Sequence, residues 1–161
     1  MSARIDKRTL AKGSLKVAQQ RLKRSRFSVL VGFKVNRLYK GGAVLAMTVG
    51  DRHRQIHKVV HGGVIAALAD TAAAIAAYTV APEGVELATI ELKINYLVPV
   101  AEGQVEAEGR VLRTGRNFVV VECEVRNRGE LAAKALMTFG ATGGRALAGA
   151  RGSDKNENRR S

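Results

Sequence analysis

One apolar segment with a single acid at its centre constrains this chain more than any other feature. From Val64 to Ala81 the sequence is rich in alanine, which favours a helix, and its only charged residue is Asp70. Gly62 and Gly63 precede the segment, so free backbone N–H groups and the positive end of the helix dipole can meet an anion or a developing oxyanion there. The segment predicts a buried helix that carries a functional carboxylate.

Two other interpretations of this segment stay open. The apolar run is long enough to span a bilayer, although an acid at its centre would cost about 2.5 to 3.5 kcal/mol on insertion scales. Asp70 can also be a structural acid paired with an arginine. A functional carboxylate is favoured because carboxylates with perturbed titration cluster at functional sites.

The positive charge of the chain lies in its ends. The 161 residues carry a net charge of +13, with nine basic side chains and one acidic in residues 1–26, and five basic and two acidic in residues 145–161. We predict a basic flexible N-terminus (1–13), a single domain (14–142) and a disordered basic tail (143–161). The ends are interpreted as solvated or as weak, non-specific contacts to nucleic acid or lipid, with an organellar transit peptide left open.

Cysteine usage and the N-terminal sequence bear on location. The single cysteine, Cys123, excludes an intramolecular disulfide and is interpreted as a small buried hydrophobe in a strand. The N-terminus lacks the continuous apolar segment of a secretory signal. We therefore expect a cytoplasmic protein with no membrane span.

Periodicity predicts two helices and six strands. Ser14 to about Phe27 has helical spacing, and the central helix follows two strands and precedes four. The predicted strands are 32–38, 43–49, 85–98, 103–112, 118–126 and 131–139. Strands on both sides of one central helix indicate an α+β fold with an antiparallel sheet wrapped on that helix. Because one helix cannot cover both faces of such a sheet, we expect an oligomer.

The long strand after the helix alternates between apolar and polar residues. Even-numbered positions from Ala88 to Val98 are apolar, whereas Thr89 and the odd-numbered positions to Asn95 are polar. Simple alternation therefore predicts that Thr89 points away from the helix.

Three motifs in this order resemble a known family. They are His61-Gly62-Gly63, then Leu68-Ala69-Asp70-Thr71-Ala72, then the segment from Thr89 to Pro99. Together they resemble the hotdog-fold acyl-CoA thioesterases of the phenylacetic acid degradation (PaaI) type over roughly residues 29–140. The resemblance implies a cofactor-free enzyme that hydrolyses an acyl-CoA, working as a dimer or a tetramer of hotdog dimers with each site built from two chains.

The resemblance also implies roles for particular residues. Asp70 matches the catalytic carboxylate, which attacks the thioester or activates a water, and the Gly62 amide matches the oxyanion donor, with Gly63 assisting. Thr89 matches a hydroxyl that positions the water or the acid. Gln55 stands where the family carries Asn or Gln facing the thioester carbonyl. His61 is expected to orient or cap.

Other contacts to substrate are predicted beside these residues. Thr71, next to the acid, is expected to bind substrate. The turn that contains Arg113, Arg116 and Asn117 is a candidate for the phosphates of coenzyme A, with a solvated hairpin tip as the alternative.

Two further classes of function stay open. The histidines His53, His57 and His61 recur every four residues, and on a helix they would align as metal ligands of a metal-dependent hydrolase. Because extended backbone is expected before the glycine pair, we predict no metal. A non-catalytic hotdog module that binds acyl-CoA or a carrier protein is the other alternative.

Overall fold

The computed structural model of the chain describes residues 4–5 and 14–142. The elements are β1 (Arg4–Ile5), α1 (Ser14–Arg24), α2 (Arg26–Val31), β2 (Lys34–Tyr39), β3 (Gly42–Thr48), a 3-10 turn (Asp51–His53), α3 (Gly62–Tyr78), β4 (Glu86–Tyr96), β5 (Gln104–Thr114), β6 (Phe118–Asn127) and β7 (Glu130–Thr142). The predicted flexible N-terminus, apart from Arg4–Ile5, and the predicted C-terminal tail lie outside the described residues.

The strands form one sheet in the order β1-β2-β3-β5-β6-β7-β4. Strands β2 to β7 pair antiparallel, and β1 adds a two-residue parallel pair at one edge. The predicted α+β fold, with its antiparallel sheet around one long helix, is confirmed. At the other edge β4 pairs with β7 alone, so its second edge has no partner within the described chain.

The central helix α3 begins two residues before the predicted segment, ends three residues before its end, and packs against one face of the sheet. Thr79 ends it by donating its hydroxyl to the Ala76 carbonyl (2.6 Å) while accepting the Gly41 amide (2.7 Å). Eight of its side chains are buried, five of them alanine. The small side chains let the sheet approach the helix backbone closely. No helix among residues 14–142 is long and apolar enough to cross a membrane.

The closest approach between sheet and helix depends on Gly109 of β5. A Cβ at this position would lie 2.8 Å from the Ala73 Cα and 2.9 Å from the Ala72 carbonyl oxygen. Both contacts are to helix backbone, which cannot rotate away as a side chain would. Only glycine therefore fits at position 109.

We expect Gly109→Val to lower the free energy of unfolding by about 3 kcal/mol, because the strand must move off the helix backbone. Gly50→Ala is the matched control, because its new Cβ would meet only the His53 Nδ1 atom at 3.9 Å. That change should stay within about 0.5 kcal/mol. Urea unfolding midpoints measure both, and equal midpoints for the two variants would contradict this account of the packing.

The predicted first helix is two helices. Ser25 interrupts it, because its hydroxyl caps α2 by accepting the Ser28 amide (3.1 Å). Arg21 fastens α1 to the rest of the fold through a two-pronged pair with Glu86 at 2.8 and 3.0 Å, and its guanidinium lies 3.6 Å from the centre of the Tyr78 ring.

We expected an oligomer partly because the outer face of the sheet would need a cover, and the ion pairs on this face correct that reason. Arg110 pairs with Glu108, Glu122 and Glu124 at 3.3–3.4 Å, and Lys134 pairs with the last two at 3.1–3.2 Å. This ion-pair network lets the centre of the outer face meet water directly. The case for a partner comes instead from the unpaired edge of β4, since an exposed edge strand is a template for pairing.

Candidate active site

Among the described residues, the N-terminus of α3 presents one backbone N–H without a partner. His61 is the N-cap, with extended backbone (φ −61°, ψ 132°), and its Nδ1 atom accepts the Gly63 amide at 2.9 Å. The Gly63 amide is therefore occupied in this structure, contrary to an assisting role as a donor. The Gly62 amide has no acceptor among the described residues, so it is free to bind an oxygen.

Asp70 lies half-buried, two turns further along α3. Its Oδ1 atom accepts a hydrogen bond from the Thr89 hydroxyl at 2.9 Å. Within residues 14–142 no arginine or lysine forms an ion pair with it, so the structure does not support a structural acid paired with arginine. Burial raises the pKa of Asp70, and the Thr89 hydrogen bond opposes that rise. A carboxylate with this environment suits a general base.

The position of Thr89 corrects the parity prediction. The pairing of β4 with β7 shifts by one residue between Thr89 and Glu91, so Ile90 is the extra residue of a β-bulge. Before the bulge, odd-numbered side chains face the helix; after it, Leu92 and Ile94 pack on the core and Ile90 is 68% exposed. Thr89 therefore points toward the helix and reaches Asp70.

The free Gly62 amide and Asp70 cannot act on one thioester within a single chain. They lie eight positions apart on the helix, which is about 12 Å along the axis. A reacting carbonyl must lie within about 3 Å of both its oxyanion donor and its nucleophile. A complete site from these two groups needs a second copy of the chain.

Gln55 lies in a compact loop that leads to the helix. Its backbone N–H donates to the Val59 carbonyl (2.9 Å), and its carbonyl accepts the Lys58 amide (3.0 Å). Lys58 adopts a left-handed conformation (φ 61°), which glycine adopts with less strain. The half-buried Gln55 side chain has no hydrogen bond to another described residue.

The remaining predicted contacts to substrate lie in different places. The Thr71 hydroxyl donates to the Ala67 carbonyl of its own helix (2.7 Å). Arg113, Arg116 and Asn117 are exposed at the β5–β6 hairpin. The strand register aligns four residues in one row across four strands: Thr114, Val119, Phe139 and Thr89. Three strand spacings therefore separate Thr114, at the base of the hairpin, from Thr89, which is about 14 Å.

The histidines do not form a metal site. His53 lies in the 3-10 turn, His57 in the following loop and His61 at the helix N-cap, so they share no helix face. The His53 ring is buried, with Nδ1 accepting the Gly50 amide and Nε2 donating to the Val31 carbonyl, both at 2.9 Å. The described residues contain no group of three or more His, Cys, Asp or Glu side chains that could hold a metal ion.

Tyr96 contacts the N-terminus of α3, and the sequence did not predict this contact. Its hydroxyl donates to the Gly62 carbonyl at 2.9 Å, and both residues line a cleft of about 300 Å³. Parity placed Tyr96 on the helix-facing side of its strand, but nothing in the sequence indicated which turn of the helix it would meet.

These features define a class of protein before any comparison. A long alanine-rich helix wrapped by an antiparallel sheet is the hotdog fold, and a half-buried carboxylate with a free helix N-terminal amide suits hydrolysis of an activated acyl group.

Comparisons with known proteins agree with this class. The Thioesterase superfamily profile matches residues 57–134. A candidate esterase of Saccharolobus solfataricus is 39% identical over 104 residues, which are 64% of this chain and 74% of the relative. The proofreading thioesterase EntH of Klebsiella pneumoniae is 35% identical over 86 residues, 53% of this chain and 63% of EntH. A mutant structure of the phenylacetic acid degradation protein PaaI from Thermus thermophilus is 32% identical, with a TM-score of 0.66 over 71% of this chain and 96% of that one.

The chain belongs to the thioesterase superfamily. It is a thioester hydrolase with the hotdog fold.

Proposed function

We propose that the chain hydrolyses acyl-CoA thioesters to a free acid and coenzyme A, with Asp70 as the catalytic carboxylate. The observation that carries this proposal is the half-buried Asp70, whose pKa is raised by burial and which is held by the Thr89 hydroxyl. A thioester already has a good leaving group, so a base and a donor that polarises the carbonyl are sufficient.

The reaction needs only the chain's own groups. Asp70 takes a proton from a water whose oxygen attacks the thioester carbonyl carbon, and Thr89 orients the carboxylate. The Gly62 amide of a second copy donates to the oxyanion, and the Gln55 side chain approaches the same carbonyl. The carbon–sulfur bond then breaks, and the departing thiolate takes the proton that Asp70 removed from the water, which restores the carboxylate. Direct attack by the Asp70 carboxylate, followed by hydrolysis of the resulting anhydride, uses the same groups.

Pairing of two β4 edges would build such a site. In an antiparallel register centred on Leu92, Glu91 of each copy lies opposite Lys93 of the other, which is a favourable cross-strand pair. A register centred on Lys93 would set two lysines against each other. The first register also brings Thr89 near the Tyr96 end of the second copy, and Tyr96 bonds to Gly62. Whether two such dimers associate into a tetramer stays a prediction.

The exposed hairpin with Arg113, Arg116 and Asn117 is proposed to meet the phosphates of coenzyme A. Two arginines on one exposed tip can each make charge-assisted bonds to phosphate. Thr71 is proposed to contact the substrate because it lies next to Asp70 on α3. Its hydroxyl already donates to the Ala67 carbonyl. The cytoplasmic location stays a prediction.

Release of free thiol from a panel of acyl-CoAs tests the proposed function. The panel contains acetyl-, butyryl-, octanoyl-, benzoyl- and phenylacetyl-CoA, each assayed with and without a metal chelator. We expect hydrolysis of at least one member that is insensitive to the chelator. Binding of acyl-CoA without any thiol release would instead identify a non-catalytic module, and loss of activity with chelator would identify a metal-dependent hydrolase.

Replacement of Thr89 tests its positioning role. Thr89→Val removes the hydrogen bond that lowers the pKa of Asp70, so that pKa should rise further. Activity needs the ionised carboxylate and is lost as the pH falls through its pKa, so the acid limb of the kcat/KM profile should move to higher pH. We also expect kcat at neutral pH to fall about tenfold. Thr89→Ser should restore both, and an unmoved acid limb in Thr89→Val would argue against the assigned role.

A further inference from the structure

His53 is a buried polar side chain that the proposed reaction does not use. It is 2% exposed and lies in the 3-10 turn, eight residues before the His61 that caps α3. A buried histidine ring must find its hydrogen-bond partners within the protein, because water does not reach it. The contacts of His53 therefore show which segments of the fold it joins.

The ring of His53 joins the 3-10 turn to α2. Its Nδ1 atom accepts the Gly50 amide at 2.9 Å, so the ring proton lies on Nε2, which donates to the Val31 carbonyl at 2.9 Å. Val31 is the last residue of α2, and carbonyls in the last turn of a helix have no partner within that helix. The Arg52 Nε atom lies 3.1 Å from His53 Nε2, but it cannot donate to an atom that already carries the ring proton. One ring thus satisfies a backbone amide on one side and a helix carbonyl on the other.

The backbone of His53 reaches the N-terminus of α3. Its carbonyl accepts the His61 amide at 2.8 Å, so residues 53–61 fold back on themselves. A second bond of this kind lies further along the loop, where the Gln55 amide donates to the Val59 carbonyl at 2.9 Å. His53 is therefore the anchored end of this loop, and His61 is the end that carries the helix cap.

The direction of the Gly62 amide depends on the backbone of His61. The two residues share a peptide unit, so the His61 ψ of 132° sets where the Gly62 N–H points. Two contacts fix His61: its amide donates to the His53 carbonyl, and its Nδ1 atom accepts the Gly63 amide. The first of these ties the start of α3 to a separate segment of the chain. Its precision matters, because a misplacement of about 1 Å can cost a reaction about 10²-fold.

We propose that His53 is a positioning residue for thioester hydrolysis. Its ring fixes the 3-10 turn against α2, and its carbonyl holds His61 so that the Gly62 amide points at the oxyanion. The inference rests on the proposed function and adds a residue that acts through Gly62. Because the ring is held at both nitrogens, loss of these contacts frees the turn and lets the amide shift.

Substitution of His53 tests the kinetic role. His53→Leu removes both ring contacts, so kcat and kcat/KM should each fall about 30-fold while KM stays within about twofold. His53→Gln keeps a side-chain N–H for the Val31 carbonyl and should lose only about fivefold, and it serves in every test if the leucine variant does not fold. His57→Leu is the matched control, because His57 is an exposed histidine of the same loop, and its kcat should stay within about twofold. Wild-type kcat in a folded His53 variant would overturn the proposal.

A double-mutant cycle separates positioning from a general loss of structure. Gly62→Pro removes the amide itself, so adding His53→Leu to it should lower kcat by no more than about twofold further. Thr89→Val acts on the carboxylate instead, and in that background His53→Leu should keep its full effect of about 30-fold. Equal effects of His53→Leu in the two backgrounds would reject a role through Gly62.

Hydrogen exchange separates failure of this inference from failure of the proposed function. The His61 amide should exchange at least about tenfold faster in His53→Leu than in the wild type, while amides in the centre of β6 keep their rates. If the wild-type chain hydrolyses no acyl-CoA but shows this exchange pattern, the hydrolytic proposal fails and the anchoring of His61 by His53 stands. Unchanged exchange at His61 rejects the role of His53 whatever the activity.

Discussion

Asp70→Asn should lower kcat for acyl-CoA hydrolysis by about 10³-fold or more. Asparagine keeps the shape of the side chain and an oxygen that can accept the Thr89 hydroxyl, but it can neither take a proton from water nor attack a carbonyl. Thiol release under single-turnover conditions measures the loss of the chemical step directly. Glu83→Gln, an exposed acid in the turn after α3, is the matched control and should retain full activity.

The same variant should not be less stable, which separates a catalytic role from a structural one. Burial raises the pKa of Asp70, so the folded chain binds more protons than the unfolded chain between the ordinary and the raised pKa. Stability therefore decreases as the pH rises through that interval, and the ionised carboxylate destabilises the fold above it. Asparagine removes this effect. Retained turnover, or unfolding of Asp70→Asn at neutral pH, would contradict the assignment of Asp70.

Gly62→Pro should lower kcat by about 10²- to 10³-fold, because it removes the N–H proposed to hold the oxyanion. Proline is tolerated at the first position of a helix, where its missing N–H has no helical partner. The residue before it must be extended, and His61 already is (φ −61°, ψ 132°). The change therefore deletes one donor with little expected effect on the helix. Steady-state kinetics with the best acyl-CoA measure it.

Gly62→Ala is the control that keeps the N–H. Its Cβ would lie 3.3 Å from the Tyr96 ring, so a small adjustment of that side chain is expected, and kcat should fall less than tenfold. If alanine and proline cause equal losses, the loss comes from crowding at Tyr96 and the amide is not the oxyanion donor.

Mixing the two inactive variants tests whether each site uses two chains. A hetero-dimer of Asp70→Asn and Gly62→Pro contains one site with both groups intact, so random mixing should restore about a quarter of wild-type activity. A mixture that stays inactive after subunit exchange would place both groups in one chain, against the separation of about 12 Å along α3.

Much of the local structure followed from short-range patterns. The alanine-rich run predicted α3, and all six strands from β2 to β7 are confirmed with boundaries shifted by a few residues. Helix capping was also local, because the His61 side chain accepts the Gly63 amide two residues further along its own chain.

The errors arose where the answer depended on contacts between distant segments. Parity pointed Thr89 outward, because alternation assumes an unbroken strand, and the bulge at Ile90 exists only in the pairing of β4 with β7. The sequence also suggested that a partner must cover the outer face of the sheet. The pairing of β5, β6 and β7 instead places Arg110 among three glutamates, and these ion pairs can face water. Neither feature has a signature in the residues that immediately flank it.

The sequence by itself determined that an acid would lie on a largely buried helix preceded by two glycines, because helix propensity and apolar composition act within a few residues of each other. Only the tertiary structure decided that Thr89 bonds to that acid, that Tyr96 bonds to the helix N-terminus, and that Gly62 and Asp70 are too far apart to work together in one chain. Those relations depend on strand register and on the path of the sheet around the helix, which are set by the packing of the whole fold.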